Sequence, residues 1–147
     1  MLRQLLLGGA VSVCNIAIHA VLMAAVVWAA RRAIGTDLLR QQARLITVMT
    51  CSVSVLMAAH VVEVLVWALA YMLVDAAPRE ADPYYFAFVN YTTLGYGDVI
   101  PVEGWRLLGP VTAMNGVLLF GWSTAVIFEV LRRTTTQLGQ RTPAFAP

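Results

Sequence analysis

Two groups of residues in this sequence have types and spacings suited to chemistry. His60 and Glu63 stand three residues apart in a 30-residue stretch, 45–74, that holds no other formal charge. On a helix this spacing puts an imidazole and a carboxylate on one face. There they can bond each other, share a proton or hold a metal ion. The second group is Thr92–Asp98, reading TTLGYGD. Gly95 and Gly97 stand at alternate positions, and glycine visits the left-handed backbone region without the steric cost other residues meet. This segment follows Asp82-Pro83, an acid before a proline that marks a helix start. Between them runs YYFAFVNYTT, rich in aromatics and too short to cross a bilayer.

The elements that position these groups are apolar. The chain has 147 residues, 60% of them hydrophobic, with ten arginines, no lysine and eight acids. High apolar content and low charge exclude disorder. No dense basic stripe exists to neutralise phosphates, so nucleic acid is not an expected partner. Cys14 and Cys51 both lie in apolar runs, which excludes a disulfide-stapled secreted domain. A soluble domain carries charge on roughly a quarter of its residues, twice the 12% found here.

The gaps between charges define three spans. Gln4–Ala30 is a 27-residue run without formal charge, 45–74 holds only Glu63, and Leu107–Phe128 is a further 22 uncharged residues. About 20 apolar residues suffice to cross the hydrocarbon core. The first run is too long for a signal-peptide h-region, and no A-x-A-like site closes it before Arg31. Segment 31–44 holds Arg31, Arg32, Arg40 and Arg44, and the tail holds Arg132, Arg133 and Arg141. Segment 75–106 holds Asp75, Glu80, Asp82, Asp98 and Glu103 against Arg79 and Arg106. Arginine bias places 31–44 and the C-terminus on the cytoplasmic side, with 75–106 and the N-terminus outside. Arg3 is a small vote against this orientation. The absence of lysine beside many Ala, Val and Arg suggests a GC-rich bacterial source and hence an inner cell membrane.

The connection between the second and third spans runs to about 32 residues, where a handful would do. A short helix followed by a glycine-alternating stretch reads as a re-entrant loop, because non-helical backbone at membrane depth is tolerated only where protein encloses it or it lines an aqueous path. Thr92-Thr93-Leu94-Gly95-Tyr96-Gly97-Asp98 resembles the selectivity-filter signature of the potassium channel pore-domain family, T-V-G-Y-G-D, often preceded by a second threonine. The likeness extends over roughly 45–132. Gly116–Ala125 also looks like the inner helix of small bacterial members of the ion-channel family.

The resemblance implies an all-α membrane protein with three transmembrane helices per subunit, a re-entrant pore helix and filter loop, and a tetrameric pore. An N-terminal span and basic loop (1–44) would precede a pore domain (45–133), followed by a short cytoplasmic tail (134–147). The pore domain would comprise an outer helix 45–74, pore helix 83–92, filter 93–98 and inner helix 105–131. The carbonyls of Thr93, Leu94, Gly95 and Tyr96, with the Thr93 hydroxyl, would replace the water around K⁺, and Gly97 would complete the strand. Thr92, Asp98 and Tyr85 would support the filter, with the Tyr85 hydroxyl on Asp98. Tyr84, Tyr85, Phe86 and Phe88 would pack behind it. Two departures stand out. Leu94 replaces the commoner valine, and Val89 stands where some relatives keep a glutamate. One strand supplies one oxygen per layer, so a homotetramer in the lipid bilayer is required. K⁺ is the permeant ion, no cofactor is expected, and no covalent chemistry is expected.

Several residues keep more than one reading. Gly116 and Gly121 lie at the depth of a gating hinge, or serve close helix packing. Pro110 is placed to bend the outer end of the third span. Glu129 faces the inner mouth or is a plain interfacial carboxylate. His60 and Glu63 form a structural bond to each other or to Asn115, Ser54 or Asn15. Alternatively they form a proton sensor, or a metal or proton-relay site with His19. Trp67 completes an H-x-x-E-x-x-x-W pattern read as packing. Ser52, Ser54 and Ser123 are expected to lack a histidine–carboxylate partner. Segment 31–44, with Leu38-Leu39 between its arginines, reads as a solvated connector or as a short amphipathic helix at the inner leaflet. The alternatives to a K⁺ channel are a weakly selective cation channel, or a proton- or metal-coupled membrane protein centred on His60 and Glu63.

Overall fold

A computed structural model describes residues 1–32 and 39–139. All regular elements among these residues are helical: α1 Leu2–Arg32, α2 Leu39–Leu73, α3 Pro83–Tyr91, a 3₁₀ turn Glu103–Trp105, and α4 Leu108–Gly139. Three of the helices are long and apolar enough to cross a membrane, over Leu2–Ala29, Leu45–Leu73 and Glu103–Thr136. They pack on one another, and the nine-residue α3 packs against α2 and α4.

The bounds of two long helices differ by several residues from the sequence expectation. Helix α2 starts at Leu39 rather than 45, and α4 starts at Leu108 and runs to Gly139 rather than spanning 105–131. Arginine, glutamine and leucine are good helix formers, so each helix continues past the apolar run that crosses a membrane. The described ends of segment 31–44 are therefore helical. Arg31 and Arg32 end α1, and Arg40 and Arg44 lie in the first turns of α2. The tail likewise begins as helix, its threonine hydroxyls donating to carbonyls a turn back, Thr134 to Val130 and Thr136 to Arg132. Residues 33–38 and 140–147, including Arg141, lie outside the described residues.

Helix ends are closed by local chemistry. Asp75 takes a left-handed conformation (φ 50°) just past α2, and the Ala76 N–H donates to the Tyr71 carbonyl at 3.0 Å, a Schellman-type cap. Asp82 caps α3, its carboxylate accepting from the Tyr84 N–H at 2.9 Å, with Pro83 in the first position. Pro110 sits in the first turn of α4, where a missing N–H costs nothing. Helix α4 runs through it, so Pro110 starts the helix rather than bending it.

Two apolar clusters hold the bundle. Phe86, Ala87 and Tyr91 of α3 are buried against Val64, Trp67, Ala68 and Tyr71 of α2 and Leu108 and Val111 of α4. At the other end, Met23 and Val26 of α1 meet Leu56 of α2 and Val126 and Val130 of α4. Helix α1 is tied to the start of α4. The Gln4 side-chain oxygen accepts from the Leu107 N–H at 2.8 Å, and the Arg3 guanidinium lies 4.3 Å above the Trp105 ring. Arg3 thus has a structural partner at the acidic end of the molecule.

Gly116 fixes how closely α4 approaches α3. A Cβ there would lie 2.0 Å from the Tyr91 carbonyl oxygen, whereas at Gly121 it would meet nothing within 4 Å. Gly116→Ala is expected to destabilise the fold by about 1–3 kcal/mol or more, because backbone rather than a mobile side chain must yield. Gly121→Ala is expected to change stability within the chain by less than about 0.5 kcal/mol. Thermal unfolding of both variants in detergent checks this, and equal effects would contradict it.

Candidate functional site

The two sequence groups occupy different surroundings. His60 and Glu63 are buried in the middle of the bundle, with Glu63 completely enclosed. Their shared helix face points at three other helices. From α1, His19 Nδ1 lies 2.8 Å from Glu63 Oε1. Within α2, His60 Nδ1 lies 2.9 Å from Glu63 Oε2. From α3, the Tyr91 hydroxyl donates to Glu63 Oε2 and lies 3.0 Å from His60 Nδ1. From α4, Ser123 Oγ lies 2.9 Å from His60 Nε2 and 3.4 Å from His19 Nε2.

Polar side chains extend the cluster. Asn15 donates to the Glu63 backbone carbonyl and to Asn115 Oδ1, both at 3.2 Å. Trp67 Nε1 donates to the same Asn115 oxygen at 3.0 Å. Trp67 therefore both packs and orients a polar partner. Of the partners expected for His60 and Glu63, Asn15 and Asn115 join the network. Ser54 is exposed on α2 and has no bond to either residue among those described.

The expectation for Ser123 is overturned. Its hydroxyl stands on both histidines, with the carboxylate beyond them. Sequence separation hid this, because the partners lie 63 and 104 residues away. Tyr91 carries no local motif that marks it as a site residue, for the same reason. Its one visible signal is its spacing of four from Ala87, which puts both on the buried face of α3.

The Thr92–Asp98 stretch leaves α3 as irregular backbone. Thr92 and Leu94 N–H groups donate to Phe88 and Val89 carbonyls at 2.9 and 3.0 Å. The left-handed region is then visited at every second residue: Thr93 (φ 60°), Gly95 (φ 56°) and Gly97 (φ 78°). Thr93 is the member without glycine's freedom. All seven residues of this stretch are exposed on the single chain. Tyr85 donates from its hydroxyl to Asp98 Oδ2 at 2.7 Å. That bond pushes the phenol above its ordinary pKa, and it remains the donor.

On the single chain the aromatic residues of α3 divide between buried and exposed. Phe86 is buried, its ring 4.9 Å from Tyr71. Tyr84, Tyr85 and Phe88 are exposed on this chain, and Tyr91 takes the second buried place. Val89 is buried. Glu129 accepts from Arg132 Nε at 2.8 Å and from Arg133 Nε, so it is paired within its own helix.

Three long apolar helices with buried polar contacts between them define a multi-pass membrane protein. The model of the ion channel family matches residues 59–133, half of the chain, and this chain belongs to that family. The match takes in the C-terminal part of α2 from residue 59, all of α3 and the Thr92–Asp98 stretch, and α4 as far as Arg133. No curated protein and no solved structure matches the chain.

Glu63→Leu would remove the acceptor of His19, His60 and Tyr91 together. Each buried donor left without a partner costs about 1–3 kcal/mol. A large drop in the thermal unfolding midpoint in detergent is expected. An unchanged midpoint would show that Glu63 holds nothing together.

Proposed function

We propose that four copies of this chain form a potassium-selective channel that passes K⁺ down its electrochemical gradient. The observation that carries the reading is the backbone of 93–97, left-handed at every second residue. Alternation of hand turns successive carbonyls to one side. A column of such oxygens can replace the hydration shell of a cation. The residues are exposed on their own chain, as expected of a strand that meets its equivalents on a fourfold axis.

In this reading α3 is the re-entrant pore helix, ending at Tyr91 just before the filter. Its C-terminal dipole end favours a cation at the pore centre. The carbonyls of Thr93, Leu94, Gly95 and Tyr96, with the Thr93 hydroxyl, hold dehydrated K⁺. Leu94 contributes its carbonyl, and its side chain packs behind the strand. Asp98 is tied back by Tyr85 at the outer mouth. Helix α2 is the outer helix and α4 the inner helix lining the cavity, with Gly116 and Gly121 on it. Residues 75–106 and the N-terminus face outside and the C-terminus faces the cytoplasm of a bacterial cell. No covalent chemistry and no cofactor enter the mechanism.

Flux into liposomes tests it. K⁺ permeation well above Na⁺, blocked by Ba²⁺, is expected. Gly95→Ala is expected to abolish it, because alanine is strained at φ 56°. Tyr85→Phe is expected to lower K⁺ flux several-fold without loss of the assembled protein. Flux that passes Na⁺ as readily as K⁺ would favour the weakly selective reading. Flux that survives Gly95→Ala but is lost in Glu63→Gln would sink the filter mechanism.

A further inference from the structure

We propose that His19, His60 and Glu63 bind a divalent transition metal of the zinc class, with the Tyr91 hydroxyl as fourth donor. One ligand atom from each of the first three residues lies within 4.8 Å of the others. Two imidazole nitrogens and a carboxylate oxygen are the donor set that Zn²⁺ and Co²⁺ prefer, and Mg²⁺ and Ca²⁺ do not. The metal-free donors sit at hydrogen-bonding separations: 2.8 Å for His19 to Glu63, 2.9 Å for His60 to Glu63, and 3.0 Å for His60 to Tyr91. Metal–ligand bonds near 2.0–2.2 Å place tetrahedral ligands about 3.3 Å apart. These pairs would open by about half an ångström, and because His19 and His60 bond different oxygens of Glu63, the two imidazoles, whose ligand atoms lie within 4.8 Å, would also draw toward one shared carboxylate oxygen.

Proton bookkeeping points the same way. With both imidazoles neutral and donating from Nδ1 to Glu63, both Nε2 atoms are acceptors facing Ser123 Oγ. A serine hydroxyl has one proton. It satisfies His60 at 2.9 Å and leaves His19 Nε2, at 3.4 Å, without a donor from that hydroxyl. A metal bound at the two Nδ1 atoms moves both ring protons to Nε2. Ser123 Oγ then accepts from both rings through its two lone pairs. This is the outer-shell acceptor that metal-ligating histidines ordinarily have. The Phe120 ring 4.5 Å from His60 and the Trp122 ring 5.3 Å from His19 form an apolar wall around the cluster.

The site joins four helices. His19 lies on α1, His60 and Glu63 on α2, Tyr91 at the end of α3, and Ser123 on α4. In terms of the channel reading, which metal binding itself does not require, Tyr91 is the last residue before the Thr92–Asp98 stretch. Metal occupancy would be felt there, so added Zn²⁺ is expected to change K⁺ flux.

The test is made on the purified full chain in detergent. Cobalt(II) titration of a chain carrying Cys14→Ser and Cys51→Ser is expected to give the visible absorption of a tetrahedral site at one metal per chain. His19→Gln and His60→Gln are each expected to weaken binding at least tenfold. Zinc X-ray absorption on the unaltered chain is expected to show two imidazoles and two oxygens, a reading that does not depend on any variant folding. Absence of a tetrahedral spectrum, unchanged binding in both histidine variants, or sulfur ligation from cysteine would each overturn the proposal. These readouts measure no ion flux, so they stand or fall apart from the channel reading.

Discussion

A bare carboxylate inside a bundle of apolar helices costs several kcal/mol unless donors surround it, and Glu63 is completely buried. The packing of the helices follows from how that cost is met. The surrounding donors come from α1, α2 and α3, through His19, His60 and Tyr91. Asn15 adds a bond to the Glu63 backbone carbonyl and bridges to Asn115 on α4. Each partner is held in turn, His60 by Ser123 and Asn115 by Trp67. Hydrophobic burial alone would leave apolar helices free to slide or rotate against one another in a bilayer. Directional bonds to one carboxylate fix both their height and their rotation.

The same cluster locks the short helix to the long ones. Tyr91 ends α3 with its hydroxyl on Glu63, and its carbonyl lies against Gly116 of α4. One residue is thus gripped at its side chain by a polar contact and at its backbone by close packing. The Thr92–Asp98 backbone starts at the next position. Its first residues stay bonded to the end of α3, and Asp98 at its far end is bonded to Tyr85. Both ends of an otherwise irregular stretch are anchored to the helix that precedes it.

Much of the architecture was legible because the relevant signals are local. A run of uncharged residues reads as a span, and Asp82-Pro83 reads as a helix start. The alternate glycines of 95 and 97 announce left-handed backbone. These features depend on residues a few positions apart. Boundaries such as Leu39 and Gly139 were less legible, since a helix can continue in water after the apolar pattern ends. Pro110 looked like a bend because its chain position, without the true helix start, does not say which turn it occupies.

Sequence by itself determined that this chain has three membrane-spanning helices, a short helix between two of them, and a charge buried at Glu63. It also placed His60 on Glu63's face, since three residues on a helix fix an angle. Only the tertiary structure decided which residues complete that charge's surroundings. His19, Tyr91 and Ser123 lie 44, 28 and 63 residues from their partners in the cluster. Helix rotation and depth bring them together, and those follow from packing three long apolar surfaces at once. The Gly116 contact with the Tyr91 carbonyl belongs to the same class. A glycine in an apolar helix announces room, and the neighbouring backbone decides what fills it.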